Sequence, residues 1–142
     1  MQSLSLDQAS RIIEAAIAAR RASDMKPVTV AVLDAGGHLL AFQREDGSSI
    51  MRPQIAIGKA AGALALGVSS RKIADMAAER PAFISAVAEL APQGLVPAAG
   101  GVLIVDVNYR IVGAVGITGD TSDNDERCAL AGIAAAGLRA QA

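Results

Sequence analysis

Four carboxylate residues fall within a span of seven near the end of the chain, directly after an apolar run at 111–118. They are Asp120, Asp123, Asp125 and Glu126. Carboxylates this close together could bind a cation or polarise a ligand, although Thr121 and Ser122 break the spacing of a calcium-binding loop. The same residue types also cap helices, because their oxygens and negative charge stabilise the free N–H groups of a first turn. The pattern therefore favours a capped helix start over a metal site and leaves a ligand-binding role open.

Three basic residues earlier in the chain could face these acids: Arg44, Arg52 and Lys59. Arg44 follows a strand-like run, whereas Arg52 and Lys59 are seven residues apart and therefore share one face of a predicted helix. If the two halves of the chain pack with pseudo-symmetry, we expect these cations to line one cavity with the 118–126 loop, within or between subunits. Such groups would hold carboxylates by charge-assisted hydrogen bonds.

The predicted cavity is compatible with more than one kind of function. In the first, the chain binds an anionic, largely apolar small molecule. The candidate ligand-binding residues are His38, Arg44, Arg52, Lys59, Thr118, Gly119, Asp120 and Asp123. In the second, the chain is an enzyme acting on a small carboxylated metabolite by proton transfer or hydration, with Lys59 as a desolvated base and Asp120, Asp123 or Glu126 as the paired acid. In the third, it is an assembly or scaffold protein without a ligand.

His38 and Cys128 are the only histidine and the only cysteine. His38 could ligate a metal or act as an acid or base, or it could be a partly solvated residue at the start of a strand. Cys128 is expected to be a small buried thiol, since no histidine is adjacent to it in the sequence. A single cysteine excludes a disulfide within the chain, which is compatible with a reducing cytoplasm.

These residues depend on a predicted element order of α-ββ-ααα-ββ-α. Strand-like runs occur at 28–33, 38–43, 102–106 and 111–118, and short Gly, Asp and Asn turns join them into two hairpins. An ungapped internal repeat aligns Asp34 with Asp106 and Gly47 with Gly119. The pattern predicts an α+β protein in which helices pack on one antiparallel sheet.

Length and composition restrict the class of protein. The 142 residues fit a single domain, 1–142, and no apolar run approaches the roughly 20 residues of a membrane helix. We see no secretory signal at the start, and expect a cytoplasmic protein. A net charge of −1 with 2% aromatic residues argues against nucleic-acid binding, and 52% apolar residues in so small a chain favour a homo-oligomer.

Several linked segments resemble the GlcG/HbpS family, which includes the C-terminal domain of PduO. They are VAVLDAGGHLLAFQREDG, RPQIAIGKAAGALALG and PAAGGVLIVDVNYRIVGAVGITGDTSDNDERCALAG. The resemblance covers nearly the whole chain and implies a profilin-like α+β fold that assembles into dimers, tetramers or octamers. It also implies haem as one candidate cofactor, since some members bind it, with Tyr109, Cys128 and the methionines as iron ligands other than His38. A CxxCH motif is absent, so covalent haem attachment is not expected.

Overall fold

A computed structural model describes residues 3–142. Its helices are α1 (Leu6–Ala22), α2 (Arg52–Leu66), α3 (Ser70–Glu79), α4 (Pro81–Leu90) and α5 (Ser122–Ala135). Its strands are β1 (Thr29–Asp34), β2 (Leu39–Arg44), β3 (Gly101–Val105), β4 (Ile111–Thr118) and β5 (Arg139–Gln141). The predicted order α-ββ-ααα-ββ-α is confirmed. β5 was not predicted from the sequence, because three residues are too few to show the alternation of apolar and polar residues that indicates a strand.

The five strands form one antiparallel sheet in the order β2-β1-β4-β3-β5. The two hairpins are joined by β1 and β4, which pair with Thr29 opposite Thr118. On its other side, Thr29 is opposite Arg44 of β2. The ends of β2 and β4 therefore flank the start of β1, and this brings the loops that follow both strands to the same edge of the sheet.

The two faces of the sheet bury different side chains. Against α1 and α5 lie β-branched residues, including Val30, Val115 and Ile117, which fill the larger core. Against α2 the three central strands present a row of small residues, since Ala31 and Gly101 are both paired with Gly116. The lack of side chains in this row allows the backbone of α2 to approach the sheet closely, because a Cβ on Gly116 would overlap the Ala56 carbonyl.

The internal repeat corresponds to two hairpin turns with the same hydrogen bonds. In each turn one aspartate Oδ1 accepts from the N–H groups two and four residues later, at 2.9 and 3.0 Å for Asp34 and at 2.8 and 3.0 Å for Asp106. The third residue after each aspartate has a positive φ, 82° at Gly37 and 62° at Tyr109. The aligned aspartates therefore set the geometry of both hairpins.

The helix starts follow local capping chemistry. Ser5 and Gln8 form a capping box on α1, Ser69 caps α3, and Pro81 opens α4. At α5 the cap is Thr121, whose hydroxyl accepts from the N–H of Asn124 at 3.2 Å. Within residues 3–142, none of these helices combines the length and apolarity that crossing a membrane requires.

Candidate functional site

A cavity of about 190 Å³ lies at the edge of the sheet where β2 and β4 end. It is lined by loop residues Lys26, Pro27, Gly47, Ser48, Ser49 and Gly119, together with Arg52 at the start of α2. Gly47 and Gly119 are the two glycines that the internal repeat aligns, so corresponding loops of the two halves meet here. Any side chain on Gly119 would collide with the Pro27 backbone, which explains why a glycine ends this strand.

Arg52 lines this cavity together with a second cationic residue, Lys26. Its Nη1 donates to Thr118 Oγ1 at 2.6 Å and its Nε donates to Ser49 Oγ at 3.2 Å. Among residues 3–142, no carboxylate forms a salt bridge with Arg52. Because α2 begins at Arg52 without a side-chain cap, the free N–H groups of its first turn add to the positive potential here.

Lys59 lies two turns further along α2 and is buried, with 3% of its side chain exposed. Its Nζ donates to the Ile117 carbonyl at 2.9 Å and lies 3.4 Å from Oδ2 of Asp125, a side chain that is 1% exposed. Asp125 Oδ1 accepts from the N–H of Asp120 at 2.9 Å. This ion pair joins α2, the end of β4 and the start of α5 in one buried network.

Burial dominates the electrostatics of this pair. Desolvation lowers the pKa of Lys59, and the attraction of Asp125 opposes that shift. Desolvation likewise raises the pKa of Asp125 against the hydrogen bonds from Asp120 and Lys59. Asp125 is therefore the main compensation for burying Lys59, whereas the Asp120 N–H and Lys59 together compensate the burial of Asp125. The ammonium of Lys59 faces Asp125 rather than open solvent.

The other acids of the 120–126 segment are engaged at the surface. Asp120 accepts from the Lys26 N–H at 2.9 Å and from Asn124 Nδ2 at 2.7 Å. Asp123 and Glu126 form salt bridges with Arg71 of α3, a residue that the sequence analysis did not select. The two acids raise the pKa of Arg71 above its usual value. No group of three or more metal-binding side chains occurs within residues 3–142.

The hydrogen bonds to Asp120, first of all that from Asn124, lower its pKa to about 2. A carboxylate with a depressed folded-state pKa stabilises the fold above its unfolded pKa of roughly 3.9, and the contribution is lost as the pH falls toward the folded value. We expect Asp120→Asn to be less stable than wild type at neutral pH, with the difference shrinking below about pH 4. Urea unfolding across a pH series measures it, and a difference independent of pH would contradict the assignment.

Arg44 and His38 lie apart from this group. Arg44 Nη2 donates to the Ser48 carbonyl at 2.7 Å, and the residue lines a separate depression beside Arg20 and Arg21 of α1. His38 follows the turn at the opposite end of the β1–β2 hairpin, about 20 Å from Arg44 along a six-residue strand. Arg52, Thr118 and Gly119 therefore meet at one cavity, Lys59 lies behind it, and His38 belongs to another region.

His38 is 80% exposed, and its Nδ1 lies 3.1 Å from Asp34 Oδ1. The turn before it borders a second cavity, of about 210 Å³. Gly36 and Gly37 form one wall, and Ala61, Leu64 and Ala65 of α2 form another. A Cβ on Gly36 would press on the imidazole ring, so the ring lies directly over this turn.

Several residues of these sites were not identified from the sequence. Asp125 was predicted as part of the acidic cluster and not as the buried partner of Lys59, and Lys26, Ser48 and Ser49 were not selected. Ser48 and Ser49 precede a predicted helix, where serine is ordinary, so the sequence carries no signal that separates a ligand-facing serine from a cap. The burial of Asp125 becomes visible only when α2 is placed against β4.

The chain matches the family model described as "Haem degrading protein HbpS-like" over residues 4–134. It is 33% identical over 99 residues to an uncharacterised 15.0 kDa protein of the dhaT-dhaS intergenic region of Citrobacter freundii, covering 70% of this chain and 68% of that one. Among solved structures it resembles HbpS, with 28% identity, a TM-score of 0.80 and coverage of 94% and 90% of the two chains.

Two further structures show the same fold. The PduOC:heme complex has a TM-score of 0.86 at 21% identity, over 99% of each chain. Klebsiella pneumoniae ORFY has a TM-score of 0.85 at 25% identity, over 96% of this chain and 92% of that one. Because the family model spans nearly all of the described residues, the chain belongs to the HbpS-like haem-degrading protein family.

Proposed function

We propose that this protein binds haem and that His38 provides the iron ligand. Membership of a family described by haem degradation supports haem as the ligand class, as does the similarity to HbpS. One observation in this chain carries the proposal. The only histidine is exposed and follows the turn that forms one wall of the cavity of about 210 Å³, with a carboxylate on one ring nitrogen.

The Asp34–His38 pair supports a role for His38 as an iron ligand. A carboxylate that accepts from Nδ1–H fixes the tautomer and leaves Nε2 as the free donor atom. Hydrogen bonds from the turn and from His38 lower the pKa of Asp34 despite partial desolvation, so this carboxylate is ionised at neutral pH. Haem, when bound, would supply an iron centre that such a nitrogen could ligate.

The other candidate iron ligands fit less well. Cys128 is 2% exposed and lies against Met25, so its sulfur does not reach the surface. Burial also raises the pKa of the Cys128 thiol, which disfavours the thiolate that binds iron. Tyr109 is 69% exposed, but its ring packs against the Arg139 guanidinium. Among these groups, only His38 combines exposure with an orienting partner.

The cavity beside His38 accommodates only part of a haem. Its volume of about 210 Å³ is below the roughly 300–1,000 Å³ of sites that enclose drug-sized ligands. The walls of alanine, leucine and glycine backbone offer an apolar surface for one edge of a flat molecule. A single chain would therefore hold haem on an open face, where a second copy could cover the rest.

Titration of the purified protein with haem tests this proposal. Wild type should give a saturable shift of the Soret band, and His38→Ala should weaken haem affinity at least about tenfold. Asp34→Asn preserves the turn acceptor but removes the charge, and we expect a loss of about 10–100-fold, as for other partners of iron-binding or zinc-binding histidines. Tyr109→Phe serves as the control and should bind like wild type. No saturable shift, or equal binding by His38→Ala, would refute the assignment.

We also propose that the protein is a homo-oligomer. All three aromatic residues, Phe42, Phe83 and Tyr109, lie on the surface, and Ile50 and Leu90 are more than 80% exposed. Exposed aromatic and large aliphatic side chains are typical of subunit interfaces. Native mass spectrometry should therefore give a mass that is a multiple of 14.3 kDa. A monomer at all concentrations up to the micromolar range would contradict this, and the same spectra would report any copurified haem.

A further inference from the structure

We propose that the cavity at the ends of β2 and β4 binds a small carboxylate, and that this site is independent of the haem site. Its volume of about 190 Å³ suits a molecule of a few heavy atoms. It lies at the other end of the β1–β2 hairpin from His38, and the strand between these two ends is about 20 Å long. The two sites therefore do not share a residue.

The hydrogen bonds and the charge of the Arg52 guanidinium favour an external anion. The guanidinium lines the cavity, and its Nη1 and Nε are held by neutral hydroxyls of Thr118 and Ser49. Within residues 3–142 it forms no salt bridge, whereas Arg20, Arg21 and Arg71 are each paired with an acid. The two hydroxyls fix the plane of the guanidinium and leave Nη2 without a protein partner in the described chain. A cation held in this way is prepared to receive an external anion.

Ser48 also has a buried hydroxyl without a partner among the described residues. Ser48 lines the same cavity, is 8% exposed, and its Oγ forms no hydrogen bond among the described residues. Its backbone is fixed, since its N–H donates to Glu45 and its carbonyl accepts from Arg44. An unpaired buried polar group costs free energy unless a ligand or water satisfies it. The only other such hydroxyl in this part of the chain is that of Thr29, at the same end of the sheet.

The surrounding charges favour an anion. Lys26 lines the cavity, and the uncapped N-terminus of α2 contributes positive potential. The nearby carboxylates are already engaged, Asp120 with the Lys26 N–H and Asn124, and Glu45 with Arg20 and the Val28 N–H. No carboxylate lines the cavity itself. An incoming anion therefore meets donors and does not meet an unpaired negative charge.

The lining of the cavity favours a carboxylate over inorganic phosphate. The guanidinium fork can bind two oxygens of either anion, and the hydroxyl of Ser48 can bind one more polar atom of the ligand. The Pro27 ring, Gly47 and Gly119 leave an apolar space suited to a short carbon chain. The structure thus assigns the site to a short-chain carboxylate, with a hydroxy acid using all of the donors.

The test uses the full-length protein and three probes at constant ionic strength: acetate, lactate and inorganic phosphate. Binding is followed by amide chemical shifts in two-dimensional NMR spectra. Lactate should cause saturable shifts concentrated at Gly47, Ser49 and Gly119, with a dissociation constant of about 1–10 mM. Arg52→Gln should weaken this binding at least about tenfold, and Arg52→Lys should retain part of it.

Ser48→Ala separates a ligand role from a structural one. Because its hydroxyl has no partner among residues 3–142, we expect the thermal stability of the variant to be unchanged or higher, while lactate binds about three- to tenfold more weakly. Arg11→Gln removes an exposed cation on α1 and should bind lactate like wild type. This variant carries the same change of net charge as Arg52→Gln.

Two results would overturn the proposal. One is the absence of saturable shifts with either carboxylate. The other is lactate binding that neither Ser48→Ala nor Arg52→Lys affects. These two variants remain informative if Arg52→Gln fails to fold. Tighter binding of phosphate than of either carboxylate would overturn the choice of ligand class. His38→Ala should leave lactate binding intact, so failure of haem binding and failure of carboxylate binding are distinguishable.

Discussion

Replacing Lys59 by methionine is expected to destabilise the fold by about 3–5 kcal/mol, which is the usual cost of breaking a buried ion pair. Both side chains are at most 3% exposed, so methionine would leave the Asp125 carboxylate buried without its counter-charge. The change would also remove the Nζ–H donor of the Ile117 carbonyl. Urea unfolding followed by far-ultraviolet circular dichroism at fixed protein concentration measures the loss, since the chain lacks tryptophan.

The double variant Lys59→Met with Asp125→Asn distinguishes charge burial from loss of packing. Asparagine keeps an acceptor for the Asp120 N–H but carries no charge, so the double variant should be more stable than Lys59→Met alone. Lys72→Met changes an exposed lysine on α3 and should alter stability by at most about 0.5 kcal/mol. If Lys59→Met cost less than about 1 kcal/mol, the pair would not have the structural role described above.

Gly116→Ala is expected to cost about 3 kcal/mol or more and to prevent α2 from docking in its present position. The added methyl group would overlap the Ala56 carbonyl oxygen and press on the backbone of Ala60, both in the interior of α2. Helix backbone cannot rotate away as a flexible side chain can, so the whole helix would have to shift. Because α2 carries Arg52 and Lys59, the cavity at the end of the sheet should also be disturbed.

Gly58→Ala is the matched control, since it makes the same chemical change in α2 itself. Its Cβ would approach Val96 Cγ2, the end of a side chain that can adjust. Alanine also has a higher helix propensity than glycine, by roughly 1 kcal/mol, which offsets part of any crowding. Its stability should therefore remain within about 1 kcal/mol of wild type. Equal effects of Gly116→Ala and Gly58→Ala on thermal unfolding would contradict the close helix–sheet packing.

The sequence by itself determined the helices, the strands β1 to β4 and the two hairpins. Alternating β-branched residues predict strands, and the aspartates at 34 and 106 predict turns because a side-chain oxygen can accept from N–H groups only a few residues away. These are local interactions, so their signal lies in adjacent letters. The aligned glycines Gly47 and Gly119 also marked corresponding loops of the two halves, which the pairing of β1 with β4 brings together.

Only the tertiary structure decided which charges meet. Lys59 and Asp125 are separated by 66 residues, as are Arg52 and Thr118, and Arg71 contacts Asp123 and Glu126 across more than 50. A lysine on an apolar helix is equally consistent with a base in a pocket and with a buried structural ion. Which of these two roles Lys59 has depends on the side chains that face it after α2 has packed on the sheet. The pairing of β1 with β2 also separates His38 from the cations. In a hairpin, the turn and the free ends of the two strands lie at opposite ends of the strands.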